Sequence, residues 1–196
     1  MTRTRWLLTI VALALVALLA VGLVELAGSP SEQNGGAILT PAQITARLAG
    51  SPAPLAALHT QADQILPGGA PALHARLAAL RGYPLVINKW ASWCGPCQAE
   101  RLVFERASVA LGRSVAFIGI DSADTSMSSA HAFLRAVPVA YPSYYDKSGR
   151  LGEATTDSSF TPVTVFYTRA GQQYIHQGPY PSLVKLERDI QRYALG

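Results

Sequence analysis

Apolar and polar positions alternate in two registers along the C-terminal two thirds of this chain, and each register predicts its own kind of element. Residues 85–90, Leu-Val-Ile-Asn-Lys-Trp, are apolar enough for a buried strand. From Cys97 onward, Ala99, Leu102, Val103, Ala107 and Ala110 recur near one helical face. Residues 115–120 read as a second buried strand. Residues 121–125 then supply caps, and Met127, Ala130, Leu134 and Val137 mark another helix face. Pro138 and Pro142 bound a connection to a strand near 143–145, followed by the turn Asp146-Lys147-Ser148-Gly149. Residues 163–167 alternate like a strand, and Arg169-Ala170-Gly171 closes a hairpin onto residues 172–177. Leu183, Leu186, Ile190 and Tyr193 share a last helical face. The order from Leu85, β-α-β-α-β-β-β-α, predicts an α/β fold with one central mixed sheet and helices on both faces.

Upstream, residues 41–81 form a mostly helical extension. Thr40-Pro41 reads as an N-cap with proline at the first helical position, opening a helix to about Leu48. Ser51-Pro52-Ala53-Pro54 breaks it, residues 55–66 fit either a helix or a short strand, and Pro67-Gly68-Gly69 is a turn. Residues 71–80 repeat the proline-first helical pattern and stop at Gly82. Residues 27–40 carry the Gly, Ser, Pro and Asn of a flexible linker.

The N-terminus changes the picture of where such a domain works. No charge interrupts the nineteen residues 6–24, which as a helix span about 28 Å against a hydrocarbon core of roughly 30 Å. Arg3 and Arg5 precede the run, so residues 1–26 read as a cytoplasmic tip and single-pass transmembrane anchor, with residues 82–196 outside the cytoplasm. A signal peptide is the rival, weakened by the length of the run and by Val24-Glu25-Leu26-Ala27-Gly28, a poor cleavage site.

Composition narrows the chemistry further. The chain is 49% hydrophobic with a formal charge of +4, and its basic residues are scattered rather than gathered in a stripe, which argues against nucleic acid. Only two cysteines are present, so no disulfide framework exists beyond the one they can make together. They stand as Cys94-Gly95-Pro96-Cys97 where a strand gives way to a helix. Free N–H groups and the helix dipole stabilise a thiolate at such a place, and a thiolate is what attacks disulfides. Zinc would need about four ligands, and His59, His74, His131 and His176 are dispersed; haem attachment would need a histidine where Gln98 stands. No metal and no cofactor is expected beyond a redox-active Cys94–Cys97 pair. Glu100, one helical turn after Cys97, is a candidate proton shuttle for it, because an acid in a partly apolar site has its pKa raised.

Asn88-Lys89-Trp90-Ala91-Ser92-Trp93-Cys94-Gly95-Pro96-Cys97-Gln98-Ala99-Glu100 resembles the active-site stretch of the membrane-anchored TlpA/ResA-like thiol-disulfide oxidoreductases of the thioredoxin superfamily. The resemblance covers roughly residue 80 to the C-terminus. It includes a segment between Ile120 and Phe160 longer than a minimal thioredoxin by about a helix and a strand. It implies a thioredoxin-like fold with that αβ insertion, and these roles. Cys94 is the exposed attacking thiol and Cys97 the resolving one; Pro162, after Thr161, is a cis-proline that receives an extended substrate. Trp93 is a flat apolar wall, Gly95 and Pro96 complete the substrate-facing loop, and Glu100 is the acidic residue of this branch. Asn88 falls where thioredoxins carry a buried Asp. Two positions depart from the pattern: Lys89 where Phe is commoner, and Leu102 where a Pro kinks the helix. The implied activity is reduction of protein disulfides outside the cytoplasm by a monomer fed from a membrane thiol donor, for instance on apocytochrome c thiols before haem attachment. A thiol oxidase or isomerase using the same site, and a non-catalytic metal- or partner-binding module, are the alternatives.

Overall fold

The computed structural model describes residues 37–196. The apolar run at 6–24 and most of the linker lie outside the described residues. Among the described residues, no helix is long and apolar enough to cross a membrane.

Thirteen elements follow Thr40. The extension supplies α1 (Pro41–Arg47), α2 (Ala53–His59), β1 (Ile65–Leu66) and α3 (Gly69–Ala79). Then come β2 (Leu85–Trp90), α4 (Gly95–Leu111), β3 (Ala116–Ser122), α5 (Met127–Ala136), β4 (Ser143–Asp146), α6 (Arg150–Thr156), β5 (Val163–Tyr167), β6 (Gln173–Gln177) and α7 (Leu183–Ile190), which ends in a π-helical turn, Gln191–Leu195. Helix starts follow the expected chemistry: Thr40 forms a capping box with Gln43, and Ser126 and Ser182 cap α5 and α7 through their hydroxyls.

The sheet is mixed, in the order β1-β4-β3-β2-β5-β6. β1, β4, β3 and β2 run parallel, β5 is antiparallel to its neighbour β2, and β6 is antiparallel to β5. Successive side chains of a strand point to opposite faces, and β2 uses both. Val86 and Trp90 pack with Val103, Phe104, Phe133 and Leu186 from α4, α5 and α7. Leu85 and Ile87 pack with Leu55, Leu58, Leu73 and Leu151 from α2, α3 and α6. The same alternation sends Asn88 toward α4 and Lys89 toward α6.

Two features depart from the sequence reading. Residues 55–66 are neither helix nor strand alone: α2 is followed by the two-residue β1, which pairs in parallel with Ser143 and Tyr144 of β4. Helix α6 was not expected after the 146–149 turn. Its sequence, RLGEATT, is short and carries a glycine and two threonines, and the chain enters it through Gly149, in the left-handed region at φ 75°. A Cβ on Gly152 would come within 2.5 Å of Ser122 Oγ and 3.0 Å of Lys89 Cε, so the helix seats only with hydrogen there. As Leu102 in place of proline implies, α4 runs unbroken for 17 residues.

Candidate active site

Strand β2 ends at Trp90 and delivers Ala91 to Cys94 to the start of α4. Asp124 holds this crossing: its carboxylate accepts the Ser92 N–H at 2.9 Å and the Ser92 hydroxyl at 2.8 Å. Cys94 is itself the N-cap, its sulfur 3.1 Å from the Cys97 N–H, one of the donors a helix start leaves free. Cys94 and Cys97 are joined as a disulfide. The Thr161–Pro162 peptide bond is cis and closes over the pair. The Thr161 carbonyl oxygen lies 3.7 Å from Cys94 Sγ, and its hydroxyl 3.6 Å from Cys97 Sγ. That hydroxyl also donates to the Lys89 carbonyl at 3.2 Å.

One expectation is corrected here. In the disulfide state Cys94 is not an exposed sulfur: it is 4% accessible against 1% for Cys97, because the Thr161 main chain covers it. The exposed surface belongs to its neighbours, Trp93 at 58%, Gly95 and Pro96. Trp93 is fixed by its indole N–H, which donates to the Ala123 carbonyl at 3.1 Å.

Glu100 lies inside the domain, 1% accessible, on the α4 face turned to the sheet. Its two oxygens are held by separate donors: the Asn88 amide at 3.0 Å and the Tyr180 N–H at 2.8 Å. Burial pushes its pKa up to about 7, against the pull of those two hydrogen bonds. Glu100 and Cys97 line the same cavity of about 10 Å³, with Asn88, Trp90, Phe104 and Tyr141. That is the room one water molecule needs. A larger cleft of about 960 Å³, lined by Leu73, His74, Arg150 and Ile175, contains none of these residues.

Lys89, the residue that departs from the pattern in β2, is buried in the central strand. It neither snorkels nor forms a direct ion pair. Its ammonium, 2% accessible, donates to the Ser158 carbonyl, and burial lowers its pKa while the charges of Glu153 and Asp146 partly restore it. Lys89 therefore grips the 158–161 loop twice, by side chain at Ser158 and by main chain at Thr161. Tyr180 carried no motif in sequence, yet its buried ring packs on Phe104 and Phe166 and its N–H reaches a carboxylate eighty residues away.

Asp121, at the end of β3, was read only as capping material. It is fully buried, and its pKa rises to about 8, by burial first and then by the Asp124 and Asp146 carboxylates. The folded state thus keeps a proton from pH 3.8 to about 8 that the unfolded chain gives up. The stability this proton contributes is complete below about pH 4 and is lost as pH rises to 8. Asp121→Asn should stabilise the protein by on the order of 2 kcal/mol at pH 8 and by much less at pH 5. Denaturant melts at the two pH values check this; a gain equal at both would count against it. Glu100 leaves a smaller residual slope in both proteins, for the same reason.

No family model matches the chain. It is 33% identical over 121 residues to the thiol:disulfide interchange protein DsbE of Pseudomonas fluorescens biotype C, covering 61% of this chain and 55% of that protein. It is 29% identical over 113 residues to the DsbE of Tatumella citrea, covering 57% and 56%. The chain thus matches about half the length of these curated relatives. Among solved structures, a thiol:disulfide interchange protein of the thioredoxin family from Chlorobium tepidum TLS superposes with a TM-score of 0.52 at 21% identity, over 61% of this chain and 84% of that one. Residues 37–196 contain a thioredoxin-like fold, matched over 61% of the chain, with a disulfide-bonded Cys-Gly-Pro-Cys at the start of α4, and the chain is similar in sequence to DsbE-type thiol:disulfide interchange proteins.

Proposed function

We propose that this chain is a thiol-disulfide oxidoreductase that reduces protein disulfides outside the cytoplasm, anchored by residues 6–24 with its N-terminus inside. One observation carries the reading: two cysteines bridged at the N-terminus of α4, with a cis-proline loop against both sulfurs.

In the reduced pair, the Cys94 thiolate attacks a client disulfide; an S–S bond forms to the client, and the other client sulfur leaves as a thiolate and takes a proton. Cys97 then gives its proton toward Glu100 and attacks Cys94. This forms the internal disulfide and frees the second client thiol, so two electrons pass from the pair to the client. The Cys97 N–H and the α4 dipole favour negative charge on Cys94, which makes it the attacking sulfur. The Glu100 carboxyl, held near neutrality, takes the Cys97 proton across the small cavity they share. Reduction must then be restored by an external dithiol, and we assign that role to a membrane thiol donor.

The Gly-Pro dipeptide is that of thioredoxin, whose couple lies near −270 mV, and this supports reduction over oxidation. The test is turnover of insulin disulfides by the full chain in detergent with a dithiol donor, together with the potential of the Cys94–Cys97 couple. A potential below about −200 mV fits a reductase, whereas one near −120 mV, the value for DsbA, would make the chain an oxidase. Absence of turnover together with an unreactive Cys94 would overturn the assignment.

A further inference from the structure

Two aromatic side chains stand out on the surface of the described residues. Phe160 is 76% accessible and Trp93 58%; the other exposed large apolar side chains lie between 42% and 47%. A single exposed aromatic is ordinary. These two are not independent of the site. Trp93 immediately precedes Cys94, and Phe160 immediately precedes Thr161, the residue whose carbonyl and hydroxyl touch the two sulfurs. The rings therefore leave the chain on the two segments that meet at the disulfide.

Both are tied down beside the disulfide, Trp93 by its ring N–H and Phe160 by its main chain. The Trp93 indole N–H is fixed on Ala123. The Phe160 N–H donates to the Ser158 hydroxyl at 3.2 Å, and the Ser158 carbonyl accepts from the Lys89 ammonium and, at 3.2 Å, from the Thr156 hydroxyl. Lys89 is thus a buried cation spent on holding the loop that presents Phe160. The segments on either side of the disulfide, 92–96 and 158–162, contain no charged residue. Two exposed aromatic rings on segments without charge suit apolar side chains and offer no ion pair to a charged one.

Resting on the oxidoreductase reading above, we infer that Phe160 and Trp93 select the client. They take an extended segment of a protein whose residues next to the attacked cysteine are apolar, one side chain against each ring.

The experiment compares two synthetic disulfide peptides that differ only in the residues flanking one cysteine, Leu and Phe in one and Ser and Thr in the other. Hydroxyethyl disulfide serves as a small reference substrate, and the reduced full chain as enzyme. The apolar peptide should be favoured in kcat/KM by about tenfold, the difference lying in KM. Phe160→Ala should cut that preference to about twofold, and Phe160→Leu, which keeps an apolar side chain, should retain most of it. Equal kcat/KM for the two peptides in an enzyme that turns over hydroxyethyl disulfide overturns the inference and leaves the redox reading standing, as does a preference untouched by Phe160→Ala. Failure to turn over hydroxyethyl disulfide removes the redox reading and this inference with it.

Discussion

Cys97→Ser should halt the reaction at a covalent adduct, with client protein disulfide-bonded to Cys94 and turnover reduced at least about a thousandfold. Binding and the first attack need only Cys94, whose sulfur the α4 N–H groups favour as an anion. Release needs a second sulfur, and Cys97 is the other cysteine of the chain. Non-reducing mass spectrometry of alkylation-quenched reactions reads the adduct directly. The converse variant, Cys94→Ser, should give none; adducts on Cys97 in that protein would reverse the assignment of the two sulfurs. The captured clients also identify the substrate, including whether apocytochrome c is among them.

The second large effect is expected at Glu100. Glu100→Gln should lower the rate of the resolving step by about a hundredfold at pH 7. The sign of the pH dependence follows from the direction of proton flow. Cys97 must lose a proton, so Glu100 acts when ionised, and the wild-type rate should rise with pH through about 7. Glutamine cannot take the proton, and the variant's rate should rise only in the free-thiol range, near 8.5. Single-turnover measurements from pH 5.5 to 9.5 separate the two profiles; coincident profiles would leave Glu100 as a structural acid.

How much of this was legible in sequence depends on how local each cause is. β2, α4, β3 and β5 are long apolar or amphipathic runs bounded by caps and turns, and their pattern alone locates them. Cys94, Cys97 and Thr161-Pro162 are legible because a short motif carries each. Helix α6 is not, since its reasons lie elsewhere in the chain: a left-handed Gly149, and the space that Gly152 leaves for Lys89 and Ser122. β1 is two residues long and becomes a strand only because β4 offers it an edge. Glu100 was singled out by spacing from Cys97, but its partners Asn88 and Tyr180 come from a strand and from a loop far along the chain. Asp121 looked like a cap because Asp is a capping residue; that it is fully buried beside Asp124 is a tertiary fact. Phe160 was passed over because a lone aromatic in a polar loop says nothing until the disulfide is seen beside it.

Strand β1 also does something for the protein when it is not reacting. By hydrogen-bonding along β4 it keeps the last parallel strand from presenting a bare ladder to solvent. Leu55, Leu58 and Leu73, from helices α2 and α3, roof that side of the sheet. A fragment trimmed to begin at β2 would uncover an adhesive border and an oily underside together, and copies of it would pair through that border instead of staying apart.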